Sequence, residues 1–161
     1  PVNCVDDNSY EGIFTKEGAS PKYHYTTIND ELKIATEGDA IVYSIALERD
    51  AAVIGGGHAA DWALWFNKRQ QMLVLLQKLF QKAPSWLESY NLLYANNFTE
   101  DNVNANITNV ALECVNSCGM GTDDITDMLS LTYSVKIPVK KIKQATITKT
   151  HIYNLIKNLK S

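Results

Sequence analysis

Three groups of residues in this 161-residue chain have types and spacings that could do chemistry: two cysteines one helical turn apart, a histidine behind three glycines, and a run of lysines near the end. Cys114-x-x-x-Cys118 sets two thiols on one face of a helix. A zinc site would want two further ligands nearby, and His24, His58 and His151 are scattered with no paired spacing. Free cysteine is among the most buried residue types, so both thiols are expected in the core, with no metal ligand and no cofactor. Gly55-Gly56-Gly57 precedes His58, but a phosphate loop needs a strand before it and Lys-Ser/Thr after it. Here His58-Ala59-Ala60-Asp61 follows, so the glycines read as a hinge between two helices or a close backbone approach. A small hydrolase or transferase would use His58, or Cys114 with a histidine. Spacing names no partner for either, so no catalytic residue is assigned and the balance leans away from an enzyme.

The lysines carry the stronger signal. Residues 136–161 hold seven lysines and no acid, while residues 1–135 hold eight basic and eighteen acidic side chains. Such asymmetry points to a polyanionic partner or to a clamp onto the acidic part. From Pro138 the tail reads as two short helices about a turn at Thr146-Ile147-Thr148, with apolar stripes at Val139, Ile142 and Ala145 and at Ile152, Leu155, Ile156 and Leu159. This stretch resembles the helix-turn-helix of DNA-binding regulators and recombinases, with Ile147–Ile156 as the recognition helix and its lead-in. The resemblance implies that Lys149, Thr150, His151, Tyr153 and Asn154 face bases or phosphates, and that Lys140, Lys141, Lys143 and Lys157 attract the backbone. It covers about 20 residues. Thr146 stands where a turn glycine is usual, Lys141 where an apolar residue is usual, and the chain's arginines are Arg49 and Arg69 alone. The other reading is an amphipathic hairpin docked on the acidic body.

The elements that would position these groups read as helices. Residues 1–27 form a loop-rich arm with room for a short hairpin, and Asn29 or Asp30 caps a helix through Leu47, unless Gly38-Asp39 breaks its middle and the helix begins near Asp39. Residues 59–82 read as the central helix, with Trp62, Trp65, Phe66, Met72, Leu73, Leu76 and Phe80 at three- and four-residue spacing. Ser85 starts a short helix. Thr99 caps a regular one that carries Val103, Ile107, Val110, Ala111 and Cys114 and ends at Gly119. Met120-Gly121-Thr122-Asp123-Asp124 has the look of an annexin calcium loop. No acid follows Asp127 to close such a site, so it reads as a cap that restarts a helix through Ile125, Met128 and Leu129. From Leu131 the pattern alternates, as a short strand or an extended connector would.

The expectation is therefore a mainly α fold: a compact helical bundle over residues 1–135, with an irregular arm at about 1–27 and a basic two-helix appendage at 136–161. Three cysteines are too few for a disulfide framework, and no apolar run is long enough to span a bilayer, so a cytoplasmic setting is expected. The function expected is a non-enzymatic interaction or assembly protein, of viral or mobile-element type, whose tail meets nucleic acid or an acidic protein surface. A structural homo-oligomer subunit is the alternative.

Overall fold

Every residue from Val42 to Ala46 and from Trp62 to Asn67 is buried, and both segments are strands. A strand covered on both faces is a continuous apolar run and shows no alternation, so its sequence mimics a buried helix. The computed structural model describes residues 5–7, 12–15, 19–76, 82–94, 102–135 and 147–155. Along the chain come β1 (Gly12–Ile13), α1 (Ile28–Ala35), β2 (Val42–Ala46), α2 (Arg49–Gly56), β3 (Trp62–Asn67), β4 (Met72–Leu76), α3 (Ser85–Tyr94), α4 (Val103–Cys118), β5 (Asp127–Val135) and β6 (Ile147–Leu155). The fold is α/β, and the expected mainly α bundle is wrong.

One six-stranded sheet runs in the order β1-β4-β3-β2-β5-β6. The central strand β2 is parallel to β3 on one side and to β5 on the other, with Ser44 opposite both Ala63 and Ser130. The other pairings are antiparallel. The expected central helix over 59–82 is a hairpin where it is described: β3, a turn, then β4. Asn67 makes that turn by accepting the amides of Arg69 and Gln70 (3.0 and 3.2 Å) on its side-chain oxygen.

Alternation along the strands sorts side chains to two faces. Tyr43, Ile45, Trp62, Leu64, Phe66, Leu129 and Leu131 pack with Trp86, Leu87, Ile107, Val110 and Cys114 beneath α3 and α4. On the opposite face Ala46, Ala63, Trp65 and Val74 meet Ala52 and Val53 of α2, and Val42 and Met128 lie beneath Leu32 of α1. Small residues there let α2 sit close. A Cβ on Gly55 would lie 2.8 Å from the Ser44 hydroxyl, so the glycines serve close approach at the end of α2 and not a hinge between helices.

The tail departs most from expectation. Residues 147–155 form β6, antiparallel to β5 in continuous register from Val135↔Ile147 to Asp127↔Leu155. Ile147, Thr148, Thr150 and Ile152 are β-branched and Tyr153 is aromatic, residue types that favour a strand. The helix-turn-helix reading fails on this strand. The restarted helix over 122–129 is also absent: Asp123 accepts the Ile125 amide at 2.9 Å in a tight turn, and β5 begins at Asp127. Among the described residues no helix is long and apolar enough to cross a membrane.

Candidate functional site

In open α/β sheets, ligands bind outside the carboxyl ends of the parallel strands, where chain connections leave for opposite faces. Here the strand order reverses between β2 and β5: β2 leads through α2 on one face to β3, whereas β5 lies on the other side of β2, is entered from α4 on the opposite face and leaves into β6. The carboxyl end of β2 runs directly into Glu48, Arg49 and Asp50, where α2 starts. The Arg49 guanidinium bonds Asp50 through Nε at 2.9 Å and also bonds Asp6. Burial works against its charge, but the hydrogen bonds it donates to Asp50 and Asp6, with their charges, outweigh that, and its pKa is raised. At the end of β3, Lys68 reaches Glu48 at 2.9 Å, with both side chains exposed. A helix start is the positive end of its dipole, and Glu48 makes no side-chain capping bond there. Arg49 and this helix start bring positive potential to a corner that also holds the carboxylates of Asp6, Glu48 and Asp50.

At the amino edge the acidic side chains are taken up largely by hydrogen bonds within the fold. Asp30 is 3% exposed, and its carboxylate accepts the amides of Thr27 (2.8 Å) and Ala59 (2.7 Å). Thr27 returns a side-chain bond to the Asp30 amide, so the pair is a capping box for α1, with Thr27 as the cap in place of Asn29 or Asp30. The ring of His58 lies between Asp30 Oδ2 (3.1 Å at Nδ1) and the Tyr23 carbonyl (2.9 Å at Nε2). Both nitrogens lie against oxygen acceptors, so His58 tethers the loop after α2 to α1 and to the segment before it. It borders a cavity of about 250 Å³ with Asp7, Ser20 and Asp61, where Ser20 donates to Asp7 at 2.6 Å. Asp61 is itself occupied by Lys33 (2.9 Å) and the Val42 amide (2.7 Å). Cys114 is buried on the opposite face, so no Cys114–His58 pair forms. Among the described residues no group of three or more His, Cys, Asp or Glu could hold a metal ion.

The residues proposed from the tail fall in two sets. Lys149, Thr150, His151, Tyr153 and Asn154 lie on β6, opposite Tyr133, Thr132, Leu131, Leu129 and Met128. Lys140, Lys141, Lys143 and Lys157 lie outside the described residues. Sequence reasoning missed Arg49. Its signal was an arginine one residue past a short apolar run, at the first position of a helix, but that signal has meaning only once the run is known to be a strand.

No protein-family model matches the chain. It is 33% identical over 94 residues to alkaline phosphatase PhoV of Synechococcus elongatus, a match covering 56% of this chain and 17% of that protein. Alkaline phosphatase PafA of Elizabethkingia meningoseptica is 24% identical over 95 residues, and a calcium-transporting ATPase of Myroides odoratus is 28% identical over 93. The chain spans 17% of the length of each of these relatives. The solved structure of alkaline phosphatase PafA superposes with a TM-score of 0.69 and 21% identity, over 81% of this chain and 36% of that one. This chain therefore has the fold of part of an alkaline phosphatase. These likenesses overturn the expected non-enzymatic viral or assembly protein with a nucleic-acid-binding tail.

Proposed function

We propose that this chain is part of a phosphoester hydrolase of alkaline-phosphatase type, and that its contribution is the anion-binding corner where β2 meets α2. The observation that carries the reading is the coincidence of Arg49 with the carboxyl edge of the β2/β5 switch point, in a sheet shared with an alkaline phosphatase. A phosphate group would compete with Asp6, whose side chain is 57% exposed, for the Arg49 guanidinium. Planar, two-pronged donation and a fixed positive charge suit a tetrahedral oxyanion, and the first turn of α2 adds its dipole. In turnover this corner would hold and orient the phosphoryl group. The attacking and proton-transferring groups do not assemble among the described residues.

The test is titration of the full chain with inorganic phosphate, followed at the amides of residues 48–52 by NMR, together with hydrolysis of p-nitrophenyl phosphate. Saturable shifts at 48–52 that weaken roughly ten-fold or more in Arg49→Ala support the corner as the phosphate site. Absence of such shifts overturns it. Binding without turnover keeps the phosphate site and removes the hydrolase reading for this chain alone.

A further inference from the structure

On the α3/α4 face of the sheet, three elements converge on one sulfur. Cys118 Sγ lies 3.2 Å from the indole nitrogen of Trp86 on α3 and 3.2 Å from the hydroxyl of Tyr43 on β2. Cys114, one turn back on α4, places its sulfur 4.0 Å away. An indole N–H can only donate. A thiol sulfur is a weak acceptor, whereas a thiolate accepts several strong bonds, so an indole, a phenol and a second thiol all aimed at one sulfur suit a negative charge there. The geometry points to Cys118 as a thiolate nucleophile, a modification site that reacts with hydroperoxides.

The surrounding groups agree on direction. The bond from Cys114 is the largest influence and lowers the Cys118 pKa; burial opposes it, Tyr43 and Trp86 add to it, and Glu113 opposes, leaving a value of about 6. Cys118 also closes α4, where the negative end of the helix dipole works against the charge. Donating to Cys118, and then burial, push the Cys114 thiol up. As a thiol Cys118 donates to the Tyr43 oxygen; burial pushes the phenol up, so it keeps its own proton and can turn it to the sulfur once Cys118 is ionised. Exposure separates the pair: Cys114 is buried and Cys118 is half-buried, so reagent reaches the second. In the reaction the Cys118 sulfur attacks one peroxide oxygen, an S–O bond forms, and the O–O bond breaks. Hydroxide leaves from hydrogen peroxide, or alkoxide from an organic hydroperoxide, and takes a solvent proton to become water or an alcohol. The sulfur is oxidised by two electrons to a sulfenic acid, and the peroxide is reduced.

This inference stands apart from the phosphatase reading. Its experiment is iodoacetamide alkylation of the intact chain from pH 5 to pH 9 with peptide mapping, then hydrogen peroxide with dimedone as the sulfenic acid trap. The expected result is selective labelling of Cys118 with a half-maximal rate near pH 6, and a dimedone adduct at the same residue. Tyr43→Phe, which keeps the ring, should move the midpoint up by about one pH unit, and Trp86→Phe should act in the same sense. A midpoint at or above roughly pH 8.5, the value of an ordinary thiol, overturns the thiolate. So does a midpoint that neither variant moves. Labelling near pH 6 without a dimedone adduct overturns the peroxide step.

Discussion

The two ends of the parallel strands use charge in opposite ways. At the amino edge, Asp30 and Asp127 are buried and Asp61 is partly covered, and each carboxylate accepts backbone amides from neighbouring segments. Asp127 takes the amides of Ile41 and Gly121, both at 2.6 Å, and so joins the start of β5 to the start of β2 and to the turn after α4. At the carboxyl edge, Glu48, Arg49, Lys68 and Asp6 pair chiefly with one another, and Glu48, Lys68 and Asp6 are exposed. The difference lies in how much bonding capacity is already used. A carboxylate saturated by amides in the interior stabilises the fold and has no capacity left for a ligand. A side chain paired loosely at the rim adds little stability and can exchange its partner. The proposed anion site therefore lies where charge looks less organised.

The largest effect should come from breaking the amino edge at Asp127, which is 2% exposed. Asp127→Ala removes two charge-assisted bonds and strands two amides, at a cost of about 3 kcal/mol in urea unfolding. A loss below about 1 kcal/mol would mean that water or a neighbour replaces the carboxylate, and the contrast between the edges would weaken.

How far the sequence discloses this layout depends on the reach of each signal. Signals closed within one turn survive in part: the cap of α1 is Thr27 and not Asn29 or Asp30, and no helix restarts at Thr122, but others hold. Gly119 ends α4 in the left-handed conformation, Ser85 begins α3, and Ile107, Val110, Ala111 and Cys114 are buried along one stripe of α4. Signals that depend on both faces of a sheet do not survive. Trp62, Leu64 and Phe66 point to α3 and α4 while Ala63 and Trp65 point to α2, and their summed pattern reads as an all-round apolar helix. The site was hidden for the same reason. Asp30, Asp61 and Asp127 meet their amide partners across loops, as in the 86 residues between Ile41 and Asp127, and Arg49 gains its place only from strand order. The lysine asymmetry is real in the sequence, but charge alone does not choose between helix and strand for 147–155.

Acid sharpens the contrast with a smaller effect. Burial would raise the Asp30 pKa, but the bonds from Thr27, His58 and Ala59 together hold it below the ordinary carboxylate value. An unfolded aspartate takes up its proton near about pH 3.9, and folded Asp30 does so lower. Its contribution to stability is thus fully present above about pH 4 and is lost as pH falls through the folded value. Stability measured between pH 5 and pH 2 should fall less steeply in Asp30→Asn than in the parent chain. An unchanged slope would place the acid response elsewhere.

The smallest effect is expected at the carboxyl edge, and its smallness is the point. Lys68 and Glu48 sit 2.9 Å apart with side chains 65% and 63% exposed, so solvent and salt screen most of their attraction. Glu48→Gln should change unfolding free energy by less than about 0.5 kcal/mol. The same substitution removes a negative charge beside Arg49 and the start of α2, so phosphate binding at that corner should tighten by roughly two- to five-fold, more at low salt than at high. A stability loss comparable to that of Asp127→Ala would show that the rim holds the fold together as strongly as the amino edge does. Weaker phosphate binding in Glu48→Gln would show that the carboxylate positions Lys68 for the ligand and does not repel it.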